Sequence, residues 1–218
     1  MKGIWIGILT TAMVGALATA ATAATPEVSS ARSAALGGNI FITDVEDVYT
    51  FPQLSLDHRG VVQANTDGTA GAGSALVLFG NESMTYGAAV HTGPATSTNT
   101  LDAFFAMPMG DNKLGFELTV GLGGETQTPE DGDATGTSQM DIGLGAGYSM
   151  GNIDMGLQFG MSNFTTLAGA SDGDDLTLGG MTVGVGARSI SDAVDGVAWG
   201  WAAGVGYTSF SLTETDAN

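Results

Sequence analysis

The sequence predicts an all-β fold, specifically a transmembrane antiparallel up-and-down β-barrel of about 8–10 strands behind an N-terminal signal peptide. Three observations predict it. Long stretches alternate apolar with small or polar residues, short and long connections alternate between these stretches, and an apolar leader precedes them. The clearest stretch runs from Lys113 to Gly123. Its apolar positions are Leu114, Phe116, Leu118, Val120 and Leu122.

A period of two places every second side chain on the same face of a strand. Similar stretches occur at Gln139–Met150, Asn152–Phe164 and Gly196–Leu212. A tilted strand of about 10 residues is long enough to cross a bilayer. We therefore expect the apolar rows to face hydrocarbon, and the rows of glycine and polar residues to face the barrel interior. A soluble β-sandwich would instead need the apolar rows as its core.

The composition fits one exported domain. The chain has 218 residues, of which 35 are glycine, and a formal net charge of −18. A charge of this sign repels the phosphate backbone, so the composition excludes nucleic acid as a partner. Because the sequence contains no cysteine, it has no disulfide framework, no thiolate metal site and no lipidated cysteine.

Residues 1–23 have the features of a secretory signal peptide. Lys2 supplies the positive start, Ile4–Leu17 the apolar core, and Ala21–Ala23 the small-residue cleavage site. The apolar core is shorter than the ~20 residues that a membrane-spanning helix needs. The sequence therefore predicts cleavage before Ala24. Together with the barrel pattern, it predicts localisation in the bacterial outer membrane.

Residues 24–56 lack a long clean alternation and form a separate N-terminal segment, either a plug or a periplasmic stretch. Between Ala31 and Asp47, a small-Arg-Ser segment ending in Gly-Gly is followed by a short apolar run and an acidic pair. This pattern resembles the mature N-terminus of outer-membrane barrels of the long-chain fatty-acid transporter family. The resemblance implies a plug inside the barrel and hydrophobic solutes. Thr50-Phe51-Pro52 stands where that family has an Asn-Pro-Ala triplet.

Residues 57–218 form the predicted barrel, which we interpret as a series of hairpins. Tight glycine-containing turns at 80–83, 109–112 and 149–152 alternate with longer links. Outer-membrane barrels alternate short periplasmic turns with long extracellular loops in the same way. The candidate strands are His58–Asn65, Ser74–Phe79, Met84–Thr92, Leu101–Met107, Lys113–Gly123, Gln139–Met150, Asn152–Phe164, Leu176–Arg188 and Gly196–Leu212.

The number of candidate strands leaves two alternatives. Bacterial single-chain barrels have an even number of strands, and the sequence does not end on an aromatic residue. Either the sequence is truncated at its C-terminus, or His58–Asn65 lies outside the wall and eight strands form the barrel.

Four polar residues share the interior-facing rows with glycines: Glu117, Asp141, Asp154 and Gln158. They are the candidate lumen-facing residues. Carboxylates that face a lumen favour cations, and only Lys113 and Arg188 lie on nearby strands to neutralise them.

Asp172, Asp174 and Asp175 are weak candidates for calcium ligands, because they place carboxylates on a glycine-containing link. Solvated surface charge is the alternative account, and divalent ions that bridge to lipopolysaccharide phosphates are a further one. Neither His58 nor His91 has a nucleophile at a spacing typical of a hydrolase. We therefore expect no enzymatic activity, no catalytic residue and no cofactor, with calcium as the one candidate ligand.

Together these features favour an outer-membrane barrel that acts as a passive pore or transporter for small or hydrophobic solutes. One alternative is a non-transporting structural or adhesive barrel with acidic extracellular loops, and another is a secreted soluble β-sandwich module. The expected partners are membrane lipid, lipopolysaccharide and the barrel-assembly machinery. The oligomeric state is left open.

Overall fold

A computed structural model describes residues 5–10, 44–66, 72–93, 99–127, 135–167, 175–191 and 199–215. In this part of the chain the fold is all-β, with two short 3-10 helices at Val45–Tyr49 and Pro52–Leu56. None of its helices is long and apolar enough to cross a membrane.

The strands form one antiparallel sheet. Nine of them, β2 to β10, follow one another up and down in chain order, and β1 pairs with the outer edge of β10. Their bounds are β1 Trp5–Thr10, β2 Val61–Asn65, β3 Gly73–Asn81, β4 Met84–Thr92, β5 Asn99–Met109, β6 Asn112–Gln127, β7 Thr135–Met150, β8 Ile153–Leu167, β9 Asp175–Ile190 and β10 Gly200–Thr215.

All nine predicted strands are present, and β4 has the predicted bounds. The first strand begins later than the sequence predicts, because residues 57–60 form a turn in which Gly60 adopts a φ of 77°. Val61–Asn65 nevertheless pairs with β3. The alternative that left this strand out of the sheet is therefore wrong.

The strands run further into the long links than the sequence predicted. β6 continues to Gln127 and β7 begins at Thr135, and the two strands pair in one uninterrupted register. The tight turns are as expected. Gly110 and Gly151 have φ angles of 65° and 61°, values that only glycine adopts without strain.

The sheet does not close on itself. Its order runs β1-β10-β9-β8-β7-β6-β5-β4-β3-β2, so β1 and β2 are the two edges. The five residues of β2 cover β3 only from Ser74 to Leu78. The other edge, β1, lies within residues 1–23, the predicted leader.

The two faces of the sheet have inverted polarity. In β6 the side chains of Phe116 and Leu118 are 44% and 45% exposed, whereas Glu117 between them is 7% exposed. β7 repeats the arrangement, with Leu144 exposed between the buried Gly143 and Gly145. The apolar rows thus face outward and the rows of glycine and polar residues are buried. A soluble sandwich core requires the opposite arrangement.

Residues 44–60, called the interior segment below, lie against the buried face. The Tyr49 ring is 5.3 Å from the ring of His91 on β4, and its carbonyl accepts a hydrogen bond of 2.6 Å from Gln158 on β8. In a flat sheet these strands would be about 19 Å apart, since neighbouring strands are about 4.8 Å apart. The sheet therefore curves around the interior segment.

A small apolar core lies where the first 3-10 helix meets strands β3 to β5. Val48 and Leu78 are fully buried in it, and the Phe104 ring lies 5.3 Å from that of Tyr49 in an edge-on contact. The remaining members of this cluster are Val45, Leu76 and Ala89. Packing of this kind fixes the interior segment against one side of the curved sheet.

We expect Phe104→Ala to lower the free energy of unfolding by about 3–5 kcal/mol, because it removes a buried ring from this core. Phe105→Ala is the matched control, since its ring lies on the outer face and is 36% exposed. Urea unfolding of the protein refolded in detergent micelles measures both. An equal loss in the two variants would contradict the assignment of the faces.

Candidate functional site

The candidate lumen residues lie on the buried face around the interior segment. Glu117 and Asp141 are buried, and Asp154 and Gln158 are half-buried. Glu117 lies directly opposite Gly145, which in turn lies opposite Gln158. The four residues therefore belong to one surface, built by strands β6, β7 and β8.

Arg188 joins this surface to the interior segment. Its side chain is 1% exposed, and the guanidinium contacts Asp154 at 3.1 Å and Asp47 at 2.9 Å. It also lies over the Phe51 ring, 4.8 Å from the ring centre, a cation–π contact. Asp154 faces Arg188 in the register of β8 and β9, and accepts a hydrogen bond of 2.6 Å from the Ser149 hydroxyl.

This arrangement gives Asp154 a close cationic partner. The two carboxylates that contact Arg188 come from different elements, one from the wall and one from the interior segment. Because an isolated buried charge is very costly, Arg188 depends on these partners, and it has the second carboxylate and the Phe51 ring only when the segment is in place.

Asp47 is held in a compact local structure. The first 3-10 helix begins with a capping box, in which the Asp44 side chain accepts from the Asp47 amide and the Asp47 side chain accepts from the Asp44 amide. The Asp44 side chain also accepts from the Val45 amide. Burial raises the pKa of the Asp47 carboxyl, and the nearby Arg188 guanidinium offsets this only in part.

Glycines on the wall make room for the second 3-10 helix. A Cβ atom at Gly115 would collide with the backbone of Gln53, and one at Gly147 would collide with the Gln53 side chain. At Gly156 it would collide with the carbonyl of Thr50. The rows of glycine noted in the sequence are therefore the surface on which residues 50–53 lie.

Further polar contacts attach the interior segment, among them those with β6 and β8. Gln158 donates to the Tyr49 carbonyl, and Gln53 donates to the Met155 carbonyl at 3.5 Å. At the end of the segment, the Lys113 ammonium contacts the Asp57 carboxylate at 2.6 Å on an exposed surface. Exposed ion pairs of this kind contribute little to stability, so Arg188 is the principal polar attachment.

A second polar cluster lies on the same face under Tyr49. The His91 imidazole is 2.8 Å from the Asp102 carboxylate, which accepts a hydrogen bond of 2.7 Å from the Thr119 hydroxyl. Because Thr119 donates to Asp102, its hydroxyl proton is engaged by a carboxylate. Burial, followed by the negative charges of Asp102 and Glu117, raises the pKa of Tyr49 far above its usual value.

Sequence reasoning missed this cluster and the contacts of Arg188. Tyr49, His91 and Asp102 come from separate elements, and no spacing in the sequence predicts that they meet. The available signal was that Arg188 and Asp154 occupy interior-facing positions of neighbouring predicted strands. These positions show that the two side chains share the interior face of the sheet, but they do not show which residues of the two strands pair.

The calcium candidates lie at or beyond the limits of the described residues. Asp172 and Asp174 lie outside the described residues. Asp175 begins β9, but its side chain is not among those described. Within the described part of the chain, no group of three or more potential ligands is arranged to hold a metal ion.

We expect Gly115→Ala to destabilise the protein by about 1–3 kcal/mol, the usual cost of overpacking, and to loosen the interior segment. Its Cβ would meet backbone, which cannot move aside without shifting the segment. Gly143→Ala is the matched control, because its Cβ would lie 3.1 Å from a Thr119 side-chain carbon. Limited proteolysis of the refolded protein, followed by mass spectrometry, reports cleavage within residues 44–60. Equal protease resistance of both variants would exclude the close packing.

The raised pKa of Asp47 predicts a specific pH dependence of stability. The folded state binds the Asp47 proton more tightly than the unfolded state, whose pKa is near 3.8. This contribution to stability is therefore present below that value and is lost as the pH rises through the folded pKa. Relative to wild type, Asp47→Asn should become progressively more stable over this range. Urea unfolding at a series of pH values measures the difference, and a constant difference would be inconsistent with the raised pKa.

Comparisons with known proteins identify no relative. No protein-family model, curated protein or solved structure matches the chain. A function for this chain therefore has to be inferred from its geometry, namely the buried face, the interior segment and the outer apolar rows.

Proposed function

We propose that this chain is an outer-membrane β-barrel whose interior is closed by residues 44–60, and that it passes small or hydrophobic solutes when this segment is displaced. The observation that carries the proposal is the inverted polarity of the sheet. The outer face presents apolar rows to its surroundings, and the polar and glycine rows surround the interior segment.

The outer face is too apolar for water. Two adjacent rows cross strands β5 to β8 without a polar side chain. Soluble monomers rarely expose contiguous apolar patches larger than about 300–600 Å², whereas hydrocarbon solvates such a surface. The two rows are Phe105–Phe116–Ala146–Leu157 and Ala103–Leu118–Leu144–Phe159.

Aromatic residues at the ends of the outer face support the same placement. Phe79 and Tyr86 flank the turn between β3 and β4, and their rings are in edge-on contact at 4.1 Å. Trp199 and Trp201, at the start of β10, are 78% and 50% exposed. Tyrosine and tryptophan rings favour the boundary between hydrocarbon and water, where one edge remains hydrated.

The fit of the interior segment bears on both membrane functions. Its polar attachment, chiefly through the contacts of Arg188, favours a segment that can be displaced to open a path, whereas its packing in the apolar core with Phe104 favours one that stays in place. The close fit of Gln53 against Gly115 and Gly147 favours the alternative, a structural barrel that stays closed. The resemblance of residues 31–47 to the fatty-acid transporter family supports the transporter. The proposed location and partners are the bacterial outer membrane, its lipids, lipopolysaccharide and the assembly machinery.

Fractionation and gel migration test the membrane proposal. Expressed with its leader in a Gram-negative host, the chain should be found in the outer membrane, and its gel migration should shift on boiling because a folded barrel resists detergent. A chain that is soluble in the periplasm or medium, with no shift, would reject the barrel.

A charged residue introduced on the outer face tests whether this face contacts hydrocarbon. We expect Leu118→Arg, at the middle of β6, to lower the free energy of unfolding in lipid vesicles by about 2–4 kcal/mol, the cost of arginine at the bilayer midplane. Met109→Arg, beside the turn, should cost about 0–1 kcal/mol. Both wild-type side chains are about half exposed, so equal small costs in urea unfolding would indicate an aqueous face.

Conductance in a planar bilayer separates a transporter from a structural barrel. We expect the wild-type protein to be closed, and Asp47→Ala combined with Phe51→Ala to open, because this variant removes both segment contacts of Arg188 and keeps its wall partner Asp154. Asp57→Ala, which removes only an exposed ion pair, should stay closed. A variant that remains closed although proteolysis shows its segment released would favour the structural barrel.

A further inference from the structure

The interior segment contacts Arg188 with two chemically different groups. The Asp47 carboxylate lies 2.9 Å from the guanidinium nitrogen Nη2, and the centre of the Phe51 ring lies 4.8 Å from the guanidinium carbon. The wall carboxylate of Asp154 contacts a different nitrogen, Nε, at 3.1 Å. Displacement of the segment therefore takes one carboxylate and one aromatic ring away from the guanidinium and leaves its wall partner in place.

A buried guanidinium that loses a carboxylate needs a replacement. The Arg188 side chain is 1% exposed, and leaving a buried charge without its partner is strongly unfavourable. A guanidinium only donates hydrogen bonds, and its planar fork matches the two oxygen atoms of a carboxylate. A solute carboxylate that takes the position of Asp47 offsets this cost. Displacement of the segment and binding of such a solute are therefore coupled.

The position of the Phe51 ring suits an aromatic group of the solute. The ring is buried, and it lies against Gly156 on β8, where a Cβ atom would be 3.4 Å from one ring carbon and 3.6 Å from the next. A larger wall residue would fill part of this space. Because aromatic rings attract a neighbouring guanidinium, an aryl group gains in this position what Phe51 gains there.

The other charged groups of the buried face limit the solute to one carboxylate. Arg188 is a buried basic residue, whereas Lys113 and Arg59 make their contacts at exposed positions. Like charges repel one another strongly away from water, so a second carboxylate on the solute is unfavourable. Three further buried carboxyl residues lie on the same face, namely Asp102, Glu117 and Asp141.

The wall beside the guanidinium offers little apolar surface to a long alkyl chain. On β8 the interior positions after Asp154 are Gly156 and Gln158, and their partners on β9 are Gly186 and Gly184. The apolar cluster of the interior lies on the other side, at β3 to β5. A compact solute with a short linker between its ring and its carboxylate therefore fits better than a long alkyl carboxylate.

We propose that Arg188 and the wall at Gly156 form a binding site for an aryl monocarboxylate, and that Asp47 and Phe51 occupy this site until such a solute displaces them. This inference rests on the proposed function and names the class of solute that the barrel passes. The internal occupants lower the apparent affinity, because the solute binds only the fraction of molecules in which the segment is displaced.

Equilibrium dialysis of the protein refolded in detergent micelles tests the site. The probe is radiolabelled hydrocinnamate, a phenyl ring on a short linker to a carboxylate. Asp47→Ala combined with Phe51→Ala removes both internal occupants, and we expect this double variant to bind the probe about tenfold more tightly than wild type, the gain for a site that is occupied in about nine molecules of ten. Asp57→Ala is the matched control, because it removes only an exposed ion pair of the same segment. It should bind as wild type does.

Three competitors of the probe separate the chemical contributions on the double variant. Hydrocinnamide keeps the ring without the charge, phenylsuccinate adds a second carboxylate, and octanoate replaces the ring by a flexible alkyl chain. We expect each to compete about tenfold more weakly than unlabelled hydrocinnamate, since one charged hydrogen bond is worth about that factor. Arg188→Lys added to the double variant should weaken probe binding by a similar factor, because lysine lacks the planar fork. The competitor series needs no change at Arg188, so it tests the site even where that chain fails to fold.

The contradicting outcomes are distinct. Equal competition by hydrocinnamide and hydrocinnamate would overturn the role of the guanidinium, and stronger competition by octanoate or phenylsuccinate would overturn the solute class. Equal probe binding by wild type and the double variant would overturn the internal occupancy.

Conductance of the double variant in a planar bilayer keeps this inference separate from the proposed function. A variant that conducts but binds no probe would overturn the binding site and leave the transporter standing. A variant that binds the probe but does not conduct would overturn the transporter and leave a binding site.

Discussion

The arrangement of the interior depends on the contacts of one buried group, the guanidinium of Arg188. A charge that is 1% exposed needs partners, and it has a carboxylate from the wall, a carboxylate from the interior segment and an aromatic ring. Truncating one partner of a buried pair typically costs about 3–5 kcal/mol, because the other charge is left uncompensated. The segment and the wall are therefore mutually stabilising, and Arg188 joins Asp47 and Phe51 of the segment to Asp154 of the wall.

Glycine residues on the sheet are a second reason why the interior segment lies where it does. At Gly115, Gly147 and Gly156, the absence of a Cβ lets the backbone of residues 50–53 approach the wall. Side chains alone can fill the space inside a strongly curved sheet of few strands, so the additional segment fits where the wall carries glycine instead of larger side chains. The glycine rows therefore leave the space that the interior segment occupies.

The two edges of the sheet differ in how they are covered. A long edge strand beside exposed apolar rows is a template for pairing with other chains. Here β1 pairs with the outer edge of β10 from Gly206 to Ser211, and the five-residue strand β2 forms the other edge of the sheet.

The sequence by itself determined the strands and their faces. Alternation from Lys113 to Gly123 fixes which side chains share a face, because the period of a strand is two, and all nine predicted strands are present. The tertiary structure decided what meets on the buried face. The pairing of Arg188 with Asp47, and of His91 with Asp102, joins residues far apart in the chain. Such contacts depend on register and on the curvature of the whole sheet, which local periodicity does not specify.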